Sequence, residues 1–442
     1  MSNLLTEQKW VGEFFLPGSH DSRFSGELQY TPEEGIVLSY LISHDAHMES
    51  SEVLHGILSS GEKCTLIGNF DPSKSGLSLN NDLATRPGQA WFQFLIHGAF
   101  IPTKGQITNL DFSLTNLQDF FYPSYAKNRV KYSPIPDYTL STHFGNIKVG
   151  TKATFNPLTN DITNQIYSQN KSALQELQDQ YLRISKKYRD SRFMLKSEIS
   201  YSINLDLLRS STALEAFKII FEIADLFSLL TYSPVYPEYI QILDESITTP
   251  HGKIFLYPSM LATQKIIKIA TREQSHRNMP IRKNTIPLDQ IISNWLSNQY
   301  DFSILISSIQ NDSEIVNIHE AHGETTLYAT QLESIGYLAN KSKYDRYEYP
   351  IKTYANDTII DGLSRIFSVG TTSDIAVSIS ELRNEIAHVQ KPKVLLKKLR
   401  LKEMVRINQY LQLTIIGYIL NQIGVPTDVI SNYQDHHAPP HN

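Results

Sequence analysis

A single cysteine, Cys64, stands among 442 residues. No intrachain disulfide can form, a composition that suits a reducing compartment. No apolar run approaches the roughly 18 residues that a membrane span requires. The first residues, Met1-Ser2-Asn3-Leu4-Leu5, reach Glu7 and Lys9 without an apolar core of signal-peptide length. A soluble, cytoplasmic protein with no membrane partner is therefore expected. Charge is scarce too. Asp, Glu, Lys and Arg make up 19% of the chain, and a formal net charge of −5 excludes whole-molecule attraction to nucleic acid. Contact with RNA would need a local basic patch. The chain has no Gly-x4-Gly-Lys-[Ser/Thr] loop, so a P-loop nucleotide site is excluded, and neither an internal repeat nor a heptad array is present.

With 41% hydrophobic residues, a chain of this length can build two or three cores. The pattern predicts an α+β multidomain fold. Residues 1–150 read as β-rich, sandwich or barrel-like. Phe112 and Leu114 alternate with Asp111, Ser113 and Thr115, and short apolar runs (35–41, 64–67, 91–96) are bounded by Gly, Pro, Asn and Asp. Asp71 to Gln89, rich in Ser, Asn, Gly and Pro, reads as a loop. The aromatic run Trp91, Phe92 and Phe94 reads as core, with a ligand platform as the alternative.

Residues 151–285 form a mixed region that continues this module. A strand is predicted over Ile199–Asp206, then a helix from Ala213 to about Tyr232, opened by a Thr212/Glu215 capping box and stopped by Pro234. Strands at 239–243 and 253–257 follow. From 286 to 442 the pattern is helical, with helices near 288–298, 325–341, 356–368, 374–389 and 402–423 and a disordered tail from about 432.

One hexapeptide in this region joins residue types that suit a chemistry: Arg383-Asn384-Glu385-Ile386-Ala387-His388. Spacing alone is weak, since 15 Arg and 14 His in this chain make roughly half an Arg-x4-His expected by chance. The setting adds more. Ile375, Ile379, Leu382, Ile386 and Val389 form one apolar stripe at helical spacing, with Asp374 on the N-cap side and Pro392 beyond the far end. On a wheel, Arg383 and His388 flank an arc of Ala376, Ser380, Asn384 and Ala387, small enough for another helix or a substrate to approach. An Arg and a His at the solvated edges of an apolar stripe is the plain structural alternative.

An α-bundle whose late helix carries Arg-[Asn/Asp/His]-x(3–4)-His resembles a HEPN domain. With a β-rich region before it, the chain more narrowly resembles the ApeA-like anti-phage defence family. The resemblance implies a metal-independent endoribonuclease with no cofactor, working as a homodimer through the helical domain. It also implies catalytic residues at Arg383, Asn384 and His388, RNA (tRNA among the candidates) as substrate, and arrest of translation in the infected cell. A phage-derived trigger would meet the N-terminal region. The residue types fit. An imidazole, which titrates near about 6.5 when unperturbed, can act as acid or base, and a guanidinium suits phosphate oxygens. Lys391, Lys393, Lys397, Lys398, Arg400, Lys402 and Arg406, opposed only by Glu403, follow directly, as an RNA contact or as a solvated face.

Other constellations are weaker. His319-Glu320-Ala321-His322 is one residue short of the zinc-protease spacing and reads as a polar loop before a helix. His436, His437 and His441 fall in the expected tail. His44-Asp45-Ala46-His47 and Ser19-His20-Asp21 lack a nucleophile elbow. The competing function is a non-catalytic protein that binds a ligand on its β-rich domain and dimerises through the bundle.

Overall fold

The computed structural model describes residues 3–440, apart from 44–47, 75, 77, 81–82, 102–106, 122–137, 159–160, 190–192, 245–246, 248–251, 273–278, 299–317, 343–344 and 389. Strands β1 (Gln8–Phe15), β2 (Phe24–Thr31), β3 (Gly35–Ser43), β4 (Ser51–Leu58), β5 (Lys63–Phe70), β6 (Ser78–Asn80) and β7 (Leu83–His97) come first. The order β3-β2-β1-β4-β5-β7 is antiparallel throughout, and β7 returns to β3, with Trp91 opposite Val37. Six strands thus close into a barrel. Alternation builds its interior: Ile36, Leu38, Tyr40 and Ile42 are buried, while Leu41 between them faces out.

β7 does double duty. Its first half pairs with β3, and on the same edge Phe94–His97 pair with β13 (Ile254–Pro258). Ser259 bridges the changeover. Its Oγ accepts from Ile36 N (3.1 Å) and donates to Phe92 O (2.7 Å), and its own N–H donates to Gln93 O (2.9 Å). Gly35, at φ 78°, leaves space for that side chain where a Cβ would collide with it. The expected loop from Asp71 to Gln89 is therefore corrected. It contains β6, and Thr85–Gln89 form ladder pairs with Ser39–Ser43. Small polar residues hid a strand whose partners, supplied by barrel closure, are distant in sequence.

From β13 the sheet continues through β12 (Pro237–Ile242), β8 (Ile107–Leu114), β11 (Met194–Ser211), β10 (Gly145–Pro157) and β9 (Tyr138–Ser141). Helices α1 (Leu117–Phe121), α2 (Lys171–Lys187), α3 (Ala213–Thr231) and α4 (Gln264–Ala270) accompany it. α2 lies outside the predicted helices although Leu174, Leu177, Tyr181 and Ile184 recur at helical spacing; none of its residues is buried.

α3 has the predicted capping box, with Glu215 N to Thr212 Oγ1 at 3.2 Å and Thr212 N to Glu215 Oε2 at 2.8 Å. It leads into the helical part: α5 (Leu288–Asn298), α6 (Ile318–Leu338), α7 (Glu348–Tyr354), α8 (Asp357–Phe367), α9 (Thr372–Ala387), α10 (Leu395–Lys398), α11 (Leu401–Gln422) and α12 (Thr427–His437). An all-α bundle thus follows the β-rich region and the mixed middle. Trp295 Nε1 on α5 donates to Glu222 O (2.8 Å), and Tyr232 OH, just past α3, donates to Gln412 Oε1 on α11 (2.7 Å). One buried apolar cluster runs from the barrel through α3 to α11.

Two expectations are overturned here. His319–Glu324 belongs to α6, which starts at Ile318; Thr325 and Asn408 of α11 share a buried hydrogen bond (2.6 Å) one turn further on. Of the tail expected to be disordered from about 432, residues 432–437 are instead the second half of α12. Tyr433 is fully buried with its OH on Leu229 O (2.7 Å), and Gln434 Nε2 donates to Tyr354 O (2.7 Å) and Leu413 O (3.1 Å). The His- and Pro-rich composition masked a helix whose Ile430, Tyr433, Gln434 and His437 share one face.

Candidate active site at the end of helix α9

Thr371 opens α9. Its Oγ1 accepts from Asp374 N (3.2 Å) and donates to the Asp374 carboxylate (2.7 Å), so Asp374 lies in the first turn, where its charge also meets the helix dipole. Ile375, Ile379 and Leu382 are fully buried, as the stripe predicts, and Ile386 is half-buried. Val389 lies outside the described residues.

The helix ends earlier than expected. Ala387 is its last residue, and His388 is the C-cap at φ −116°, ψ 112°. The expected place of His388 at the edge of a helical arc is corrected accordingly: the exposed residue sits on extended backbone rather than on a helical face. Of the small-residue arc, Ala376 is buried, Ser380 and Asn384 are half-buried, and Ala387 is exposed. The arc is open only toward His388.

Arg383 is half-buried. Its Nη1 donates to Asn384 Oδ1 (3.2 Å), while its Nε is buried without a hydrogen-bond partner. A desolvated cationic donor left unsatisfied is costly, and an anionic oxygen is the acceptor that relieves it best. Nearby, Tyr347 OH donates to Glu333 Oε2 (3.2 Å). Burial and the Glu333 carboxylate push that phenol up to about 12, and the Arg383 charge opposes them. The guanidinium therefore lies toward the α6–α7 side of α9.

Glu385, inside the hexapeptide, was not singled out from sequence. It is buried, and its carboxylate accepts three backbone N–H groups: Val394 (2.9 Å), Leu395 (3.0 Å) and Leu396 (3.0 Å). Burial alone would raise its pKa. Those donors, with Lys393 nearby, outweigh burial and hold the carboxyl below the ordinary range. A signal was available, because a carboxylate three residues after Leu382 falls on the buried stripe and must find donors there.

The basic stretch divides. Lys391, Lys397, Lys398, Arg400 and Lys402 are exposed, whereas Lys393 Nζ donates to Glu385 O and to His388 O (2.8 Å), and Arg406 donates to Pro440 O (2.9 Å). Among the described residues, no group of three or more His, Cys, Asp or Glu side chains gathers as a metal site. His44, His47 and His441 lie outside the described residues. His437 packs against the rings of Tyr232 (4.5 Å) and Tyr433 (4.7 Å), and no helix described is long and apolar enough to cross a membrane.

The aromatic run also divides. Phe92 and Phe94 are core, but Trp91 is 60% exposed. It lines a cleft of about 420 Å³ together with Phe94, Leu214, Phe217, Leu261 and Glu34.

The chain joins a β-rich module to a helical bundle that carries an arginine and a histidine at the end of one helix. Residues 289–429 match the family model described as Apea-like HEPN, and residues 9–295 match ApeA N-terminal domain 1. The chain belongs to the ApeA-like family, whose associations are with nuclease activity and defence, and its HEPN domain is consistent with ribonuclease activity in general. No curated protein and no solved structure matches it.

Proposed function

We propose that the chain is a metal-independent endoribonuclease of an anti-phage, abortive-infection type system, acting in the cytoplasm, with Arg383, Asn384 and His388 as its catalytic residues. The reading is supported most directly by the unsatisfied guanidinium N–H of Arg383, five residues before the exposed His388 at the same helix end, within the segment matched to the HEPN model. In the reaction, the ribose 2′-oxygen attacks the adjacent phosphorus and the P–O5′ bond breaks. His388 takes the 2′-OH proton or returns a proton to the leaving 5′-oxygen. Arg383 binds the phosphate oxygens as charge grows on them, and Asn384 orients the phosphate or the imidazole. Products carry a 2′,3′-cyclic phosphate and a 5′-hydroxyl. One imidazole cannot be acid and base in the same step, so a homodimer supplies the second. The β-rich module carries the trigger site, and tRNA is the first substrate to test.

The test incubates wild type, Arg383→Ala and His388→Ala with total RNA in EDTA and maps the product ends. Each variant should lose about 100-fold or more in rate. Equal RNA patterns from all three, with phage protection also equal, would sink the nuclease reading. The Trp91 cleft favours a second reading, a non-catalytic ligand-binding protein, and that outcome would select it.

A further inference from the structure

We propose that Glu385 and Lys393 are positioning residues that form a two-way clasp fixing His388, and that Lys393 serves this clasp rather than RNA. The inference rests on the nuclease reading above and deepens the same site. A helix end leaves its last carbonyls without partners, and α9 ends at the residue before His388. Asn384 O is satisfied by His388 N (3.1 Å). The ammonium of Lys393 then sits across the helix terminus and takes both Glu385 O and His388 O. A cation there is also favoured by the helix dipole.

The return half of the clasp comes from Glu385. Its two carboxylate oxygens accept the N–H groups of Val394, Leu395 and Leu396, the first donors of α10. The chain from His388 to Leu396 is thus pinned at both ends to one residue of α9, Glu385, by its carbonyl and by its carboxylate. Besides the bond from His388 N to Asn384 O, the His388 backbone is held by Lys391 N to His388 O (3.2 Å), which belongs to the same connector. His388 itself is exposed and follows the last helical residue, so its place relative to Arg383 depends on that connector as well as on its one C-cap bond. A misplacement of about 1 Å in a reacting group can cost about 100-fold in rate.

The experiment uses the full chain and compares Glu385→Ala, Glu385→Gln, Lys393→Met and the Ala/Met double variant. Three readouts apply: RNA cleavage kinetics, salt dependence of KM, and amide hydrogen exchange at 394–396. Glu385→Ala and Lys393→Met should each lower kcat about 100-fold with KM little changed. The double variant should be no worse than the poorer single, because both release one segment. Glu385→Gln, which keeps one acceptor oxygen, should fall between Ala and wild type. Amides 394–396 should lose protection in Glu385→Ala. A Lys393 that contacts phosphate would instead raise KM and flatten its salt slope by about one, with kcat intact. That result overturns the proposal, as does a fully active Glu385→Ala, whatever its exchange. If wild type and His388→Ala are equally silent on RNA, the nuclease reading fails first. The clasp is then decided by exchange and by the His388 ring resonances, and unchanged protection with unchanged resonances in Glu385→Ala would overturn it.

Discussion

Acid should loosen α12 from α3, and His437 is the group responsible. An ordinary imidazole titrates at 6.5, and burial, with the neighbouring His436 adding to it, pushes His437 down to about 3. Its Nε2 is buried with no partner, so a proton placed there would be desolvated and unpaired. Between those two values the unfolded chain binds a proton that the folded chain refuses. Stability is therefore complete above about pH 6.5 and falls as pH drops toward about 3. At about 1.4 kcal/mol per unit, moving from pH 7 to pH 5 removes about 2 kcal/mol through this residue alone. Partial solvent access to the ring lowers that toward about 1 kcal/mol. His437→Phe keeps the contacts with Tyr232 and Tyr433 and removes the titration. Urea unfolding of wild type and variant at both pH values gives the difference directly, and other histidines with lowered pKa values, His55 and His97, cancel in the comparison. A variant that loses as much stability as wild type between pH 7 and pH 5 would refute the reasoning.

Other outcomes follow from single contacts. Thr212→Ala removes the oxygen that caps α3 and should cost about 1 kcal/mol in urea unfolding, with the far-UV spectrum unchanged. Tyr433→Phe leaves Leu229 O without its donor inside the core and should cost about 1–3 kcal/mol, read as a lower urea midpoint at unchanged m-value. Asn408→Ala strips the Thr325 hydroxyl of a buried acceptor (2.6 Å) and opens a gap between α6 and α11. It should cost about 2 kcal/mol or more by the same measurement.

Much of this architecture is legible where a local pattern is also a tertiary fact. The capping box at Thr212 and Glu215 marks α3 because capping is decided within four residues. The stripe of Ile375, Ile379 and Leu382 marks the buried side of α9 because periodicity is itself a statement about burial. What escaped depends on partners far away in sequence. Thr85–Gln89 become strand only because β3 lies alongside them, and Tyr433 can be core because Leu229 O accepts its hydrogen bond. At the candidate site, Arg383, Asn384 and His388 could be named from the hexapeptide, but the break at Ala387 could not. Lys393 returns to that helix end, and a lysine in a basic run looks like any other until its acceptors are seen.

The dovetailing of α12 into α3 separates two kinds of boundary. By resemblance, the chain divides near residue 289 and its HEPN part stops at 429. By hydrogen bonding, the carbonyls of Leu229, Tyr354 and Leu413 receive their donors from Tyr433 and Gln434, beyond that stop. A fragment cut where the likeness ends would carry the hexapeptide of the candidate site yet lack the wedge that seals it to the barrel-bearing half. Descent and cooperative folding therefore partition this polypeptide differently. Anyone isolating the helical domain should cut by the second partition: keep α3 with the bundle, and keep the last dozen residues with both.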